Sequence, residues 1–350
     1  MKEGEITMFR PVKIAQIGIG HNHGSAKMEC MRRFPQLFDV VGVCESDANW
    51  RKQRQGWKEY QGIPWMSEEE ILNLPGLEAV CVEADVPHLN EVARKCVDRG
   101  LHIHMDKPAG ERYSEFEAII SRAREQNLVV QLAYMYRYNP CIRYCLDMVK
   151  SGKLGQVFEI DAQMSAMHPD GYRKWLEQYR GGDMYIFGSH LIDLIVCMLG
   201  EPTRVVPFLK NSFPENSQCV DNALAVLEYP RASCTVRCTS AEPNGYYRRQ
   251  LVVCGSEGTI EIKPLEKPTI ISYAKREDYV GGEIHQNSHP DARVYLDIPV
   301  TEGRYDAQMR DFALAVRGEI ANPFDYDHEL ATHRSVLRAC GLPLEEETMP

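Results

Sequence analysis

Between Val12 and Leu132, short apolar runs alternate with helix-length stretches, and this alternation limits the fold more than any other feature of the chain. Runs at Val12–Ile17, residues 40–44, Ala79–Val82, residues 101–105 and residues 129–132 read as buried strands. Residues 25–34, 49–60, 88–99 and 113–126 read as the helices between them. Ser67-Glu68-Glu69-Glu70 opens another helix, to Leu72, with a capping box. Strands regularly separated by helices predict a parallel, doubly wound α/β sheet.

After Pro140 the rhythm changes. A helix over 142–150 and a strand over 157–164 are followed by an aromatic, charged segment, 168–180, with no clean period. An apolar helix spans 188–199. Strand-like runs then recur at 205–209, 223–229, 234–239, 250–254, 259–262, 269–273 and 294–298, separated by turn signals, and read as one large open, mainly antiparallel sheet. Two helices, 306–317 and 328–339, close the chain, and the tail 344–350 reads as frayed. A length of 350 residues accommodates two domains, expected at 1–133 and 134–350, the second an α+β domain.

Composition narrows the function. A net charge of −10 and the lack of a dense Lys/Arg block exclude a phosphate-neutralising nucleic-acid protein. No apolar run reaches the roughly 18 residues that a membrane span needs. The N-terminus, Met1 to Arg10, is charged and has no apolar signal core, so a cytoplasmic location is expected. The 12 cysteines show neither a C-x-x-C pair nor zinc-type spacing and read as buried, reduced thiols.

Gly18-Ile19-Gly20-His21-Asn22-His23-Gly24 joins the first strand to the first helix. Gly18 permits a tight turn, Gly20 lets backbone approach a pyrophosphate, and the helix N-terminus offers N–H groups and partial positive charge. Glu45, at the end of the second strand, can accept hydrogen bonds from both ribose hydroxyls of an adenosine and would repel a 2′-phosphate, which favours NAD over NADP. His104-Met105-Asp106-Lys107-Pro108 lies at the C-terminal end of a strand, where open α/β sheets place their ligands. His21 and His23 share the turn, and His102 and His104 share a strand face. With no thiolate or carboxylate cluster beside them in sequence, no metal is expected. His168, Tyr172 and Trp175 combine aromatic faces with polar tips, as a carbohydrate-binding lip would.

Asp106-Lys107-Pro108 resembles the Glu-Lys-Pro motif of the Gfo/Idh/MocA oxidoreductases. Tyr136-Arg137-Tyr138-Asn139-Pro140 is similar to the family's Arg-aromatic-x-Pro segment, and Ser151-Gly152-Lys153-Leu154-Gly155 to its Ser-Gly-x-Leu-Gly turn. Gly181-Gly182, Gly188, His190, Leu191 and Asp193 fit its glycine-rich helix entrance, and Gly255-Ser256-Glu257-Gly258-Thr259 its late strand turn. The resemblance implies a Rossmann half, a second half on an open antiparallel sheet, dimers or tetramers formed through the sheets, and NAD(P)-dependent hydride transfer on a small sugar or polyol. It implies that Lys107 and His190 share the proton work, His190 as base and Lys107 on the hydroxyl oxygen. The cofactor contacts it implies are Gly18, Ile19, Gly20, His21, Asn22, His23, Glu45, Glu83, Ala84, Asp85, His88, Asp106, Lys107, Pro108 and Arg137. The substrate contacts expected are Tyr136 and Asp193 from these motifs, with His168, Tyr172 and Trp175 of the lip.

The chain departs from the family pattern twice. Ile186 stands where polyol-oxidising members carry an aspartate four residues before the histidine, and Asp183 is too far along to take that place directly. Glu83-Ala84-Asp85-Val86 replaces Ala-Thr-Pro-Asn after the third strand of the cofactor half. Besides a dehydrogenase, these departures leave open a catalytically impaired NAD sensor and an NAD-dependent glycosidase.

Overall fold

The computed structural model describes residues 10–279 and 291–344. The expectations for the leader before residue 10 and for the tail after residue 344 lie outside the described residues. The chain divides into two compact units, one comprising 1–110, 114–133 and 302–330, the other 111–113, 134–301 and 331–350.

The first unit holds a sheet of β1 (Val12–Ile17), β2 (Phe38–Cys44), β3 (Ala79–Val82), β4 (His102–Met105) and β5 (Val130–Leu132). Their order is β2-β1-β3-β4-β5 and every pairing is parallel. All four residues of β3 are fully buried, as a central strand covered on both faces requires. The crossovers are α1 (Gly24–Arg33), α2 (Ala48–Arg54), α3 (Glu68–Leu72), α4 (Leu89–Asp98) and α5 (Tyr113–Glu125). The Ser67/Glu70 capping box forms at the start of α3. The single helix expected over 49–60 is instead α2 followed by a 3-10 turn, Lys58–Tyr60. The chain goes from β1 to β2 on one side and then crosses to β3 on the other side of β1, so the carboxyl ends of β1 and β3 mark the switch point at which such sheets bind ligands.

The second unit begins with a 3-10 turn, Met135–Tyr138, and α6 (Pro140–Lys150), capped by the Asn139 side chain with Pro140 at its first position. Among the described residues its strands are β6 (Val157–Ser165), β7 (Arg204–Lys210), β8 (Asn222–Tyr229), β9 (Ala232–Thr239), β10 (Gln250–Gly255), β11 (Gly258–Ile262), β12 (Ile271–Lys275) and β13 (Val294–Leu296), in the order β13-β12-β11-β10-β6-β9-β8-β7. Burial alternates along β8 to β11, with one face packed and the other more open. The sheet is not antiparallel throughout: β6 runs parallel to β9, because helices carry the chain from β6 to the edge strand β7, and the antiparallel pairs β7–β8 and β8–β9 then bring it back beside β6. Between β6 and β7, the segment that showed no period forms a short helix, α7 (Asp170–Leu176), and a π-helical turn, Met184–Gly188, leads into α8 (Ser189–Leu199). The chain ends with α9 (Asp306–Val316), part of the first unit, and α10 (Tyr326–Ala339). Among the described residues no helix is long and apolar enough to cross a membrane.

Candidate functional site

A cavity of about 250 Å³ opens at the switch point of the first unit. It gathers Gly18, Glu45, Ala84, Asp85 and His88 from the expected cofactor set, and adds Trp50 and Lys95, which the sequence did not single out. Gly18 has φ +93°, and a Cβ there would lie 2.1 Å from the Ala84 backbone nitrogen, so its glycine is required by β3 rather than by a ligand. Glu45 binds the turn: one carboxylate oxygen accepts the Ile19 N–H at 2.7 Å and the other the Asp47 N–H at 2.8 Å. His21 N–H donates to the Glu83 carbonyl at 3.0 Å. Arg54 secures the turn from behind, donating to the carbonyls of Ile19, Gly20 and His21 at 2.5, 3.1 and 2.9 Å. Its guanidinium lies 4.3 Å from the Trp50 ring. Asn22 is exposed, and the first turn of α1 carries no acid, so the helix N-terminus keeps its attraction for an anion.

Beside the turn lies a buried charge cluster. Lys27 Nζ donates to Glu83 Oε1 at 2.9 Å and to Asp106 Oδ2 at 3.1 Å, and all three side chains are inaccessible. Burial opposes the Lys27 charge, but Asp106 and Glu83 overcome it and hold the ammonium above its ordinary range. Burial pushes the Glu83 carboxyl up to about 8 against the pull of Lys27. The Glu83 side chain, expected at the cofactor, is buried and paired with Lys27. His21 and His23 also turn towards Asp106, their Nδ1 atoms 3.2 and 3.0 Å from Oδ2. Asp106 Oδ1 accepts the Lys107 N–H at 2.8 Å, which fixes the backbone where β4 ends. Lys107 and Pro108 are buried, and the peptide bond between them is cis. Burial lowers the Lys107 ammonium to about 8; Arg304 and Lys27 add to this and Asp106 opposes it.

In the second unit His190, 4% exposed, lies in the first turn of α8. The rings of Tyr134 and Tyr136 meet it edge-on, at 5.9 and 5.2 Å between centroids. The Tyr136 hydroxyl donates to Glu266 at 2.6 Å. Arg137 and Asp193, expected at cofactor and substrate, turn their charges on each other instead: Arg137 Nε lies 3.0 and 2.9 Å from the two Asp193 oxygens, with both side chains inaccessible. This bridge ties the Met135–Tyr138 turn to α8. His168 stacks on Tyr172 at 4.4 Å and on Phe187 at 5.4 Å, and Tyr172 meets Trp175 at 5.2 Å, so the expected lip forms a continuous aromatic patch. Phe187 was missed because it belongs to the π-helical turn. Burial lowers His168 to about 4, so its ring is neutral near pH 7.

Residues 12–134 match the oxidoreductase family with an NAD-binding Rossmann fold, and residues 142–261 match the GFO/IDH/MocA C-terminal domain. The chain belongs to the Gfo/Idh/MocA oxidoreductase family. It is 22% identical over 291 residues to the NADP-dependent scyllo-inositol 2-dehydrogenase of Bacillus subtilis, covering 80% of this chain and 81% of that one. It is 26% identical over 241 residues to the NAD-dependent scyllo-inositol 2-dehydrogenase of the same organism, covering 66% and 69%. Against uncharacterized oxidoreductases of Schizosaccharomyces pombe and Escherichia coli, the match spans 55% and 42% of the relative's length. The fold is that of the aldose–aldose oxidoreductase of Caulobacter crescentus, with a TM-score of 0.76, 17% identity, and 95% of this chain and 98% of that chain covered.

Proposed function

We propose that the chain is an NAD-dependent oxidoreductase that moves hydride between nicotinamide and a carbinol of a sugar or polyol. The observation that carries the reading is Lys107: a buried amine at the carboxyl end of β4, its backbone pinned by Asp106 and its ammonium drawn down towards neutral pH. The cavity at the switch point suits the adenosine end of the cofactor. Its lining includes Glu45, Asp47, Asp85, Glu68 and Glu91, and its cation, Lys95, is held by Glu68 at 2.7 Å and Glu91 at 2.9 Å. Carboxylates in those positions accept ribose hydroxyls and repel a 2′-phosphate, which favours NAD. The Trp50 ring offers a face for adenine.

Bound nicotinamide supplies the hydride acceptor or donor. In the oxidising direction the carbinol C–H would leave as hydride to nicotinamide and the hydroxyl proton would pass to a base, the role that the family resemblance gives His190, leaving a carbonyl. A buried amine such as that of Lys107 would hydrogen-bond a substrate oxygen and stabilise the charge developing there. Tyr134 and Tyr136 fix the ring plane of His190, and the aromatic patch of His168, Tyr172 and Trp175 offers a stacking face to the sugar ring.

Lys107→Ala and His190→Ala are each expected to lower kcat by about 10²–10⁴-fold, read as NADH formation across a panel of sugars and polyols. NAD binding, followed by calorimetry, should persist in both variants and be tighter than NADP binding. Full turnover in the double variant refutes the assignment. A second reading, a cofactor-binding sensor without turnover, draws on Ile186, 6% exposed and apolar where polyol-oxidising relatives carry an acid. Tight NAD binding with no NADH formed from any substrate in the panel would favour that reading.

A further inference from the structure

The charge cluster beside the phosphate turn brings several ligand-type atoms together. Four ligand-type atoms converge there from three segments of the first unit. His21 Nδ1 lies 3.2 Å from Asp106 Oδ2 and 3.8 Å from Glu83 Oε2, and His23 Nδ1 lies 3.0 Å from the same Asp106 oxygen. One ligand atom from each of His21, His23 and Asp106 fits within 4.8 Å of the others. Around a zinc-type ion with bonds of about 2.0–2.1 Å, tetrahedral ligand atoms stand about 3.3–3.4 Å apart, close to these separations.

Hydrogen bonding within the protein serves His23 Nδ1 and Asp106 Oδ2 but leaves His21 Nδ1 and Glu83 Oε2 poorly matched. His21 Nδ1 faces the His23 N–H at 3.3 Å, which asks it to accept, and the Asp106 carboxylate, which asks it to donate. Asp106 Oδ2 already has Lys27 Nζ at 3.1 Å. Glu83 Oε2 is wholly buried and has no hydrogen-bond partner among the described residues.

We propose that His21, His23 and Asp106 bind a divalent transition-metal ion of the zinc class. Two imidazoles and carboxylate oxygens select this class over calcium or magnesium, which take oxygen ligands. Lys27, bound to Asp106 and Glu83, would orient the ligand carboxylate from outside the coordination sphere. The His23 side chain is 18% exposed and gives the ion a route in. Because Asp106 also holds the Lys107 N–H, the ion would staple the turn after β1 to the end of β4.

The full chain, stripped with a chelator, desalted and incubated with zinc sulfate, should retain about one equivalent by elemental analysis and melt at a higher temperature than the apo form. His21→Ala and His23→Ala should each lose the retained zinc and the zinc-dependent rise in Tm. His23→Gln, which keeps a polar side chain of similar reach, serves if the alanine variants do not fold. Cobalt(II) in place of zinc should give visible d–d absorption without thiolate charge transfer. Zinc lost from the wild type on desalting, equal retention in the histidine variants, or a cobalt–thiolate band would each overturn the proposal.

Discussion

Asp183 is wholly buried, and although it faces Ser240, neither carboxylate oxygen completes a hydrogen bond among the described residues. Burial pushes its carboxyl up to about 7. A carboxyl that is harder to ionise folded than unfolded binds more protons in the native state across that window. It leaves stability untouched below its ordinary value of 3.8 and costs progressively more as pH rises towards 7. The shift corresponds to roughly 4 kcal/mol at pH 8, so Tm should fall between pH 5 and pH 8, and Asp183→Asn should flatten that fall. An unchanged slope in the variant would show that another group titrates. That Glu45 and Lys107 lie at strand ends was legible, because a run of apolar residues announces each strand. It could not find Lys27, Arg54 or Trp50. On a helix read from one sequence, a cation looks like part of a solvated face; Lys27 becomes a buried ion only when β3 and β4 bring Glu83 and Asp106 against it.

Between residues and fold, the Arg137–Asp193 bridge fixes how one element meets another. It joins the 3-10 turn Met135–Tyr138 to α8, one turn of helix beyond His190. Asp193→Ala leaves a buried guanidinium uncompensated and should cost about 3–5 kcal/mol, measured by urea denaturation. The double variant Arg137→Met, Asp193→Leu should cost clearly less than the sum of the single changes, and additive losses would show that the two side chains act independently. The strand runs were legible because a period of two and β-branched residues are local signals. The π-helical turn before α8 was not, since no local residue pattern separates it from an α-helical entrance. Nor was the parallel pairing of β6 with β9, which is set by where the chain re-enters the sheet.

Across the whole molecule, all 12 cysteines are free and ten of them are buried, with Cys197 and Cys254 partly exposed. Burial raises the Cys81, Cys96, Cys238 and Cys340 thiols above their ordinary range and keeps them protonated. The melting temperature should therefore be the same with and without a reducing agent, and a reductant-dependent drop would reveal a disulfide that the fold does not contain. The sequence by itself determined the succession of strands and helices, the parallel half and its phosphate turn, and the open sheet that follows. Each of these follows from side-chain periodicity and backbone sterics within a few residues. Only the tertiary structure decided which charges are buried together: Lys27 with Glu83 and Asp106, two histidines aimed at one carboxylate, and Arg137 spent on Asp193. Those pairings join residues far apart in the chain, and their energies depend on desolvation and on ångström-scale geometry that packing alone sets.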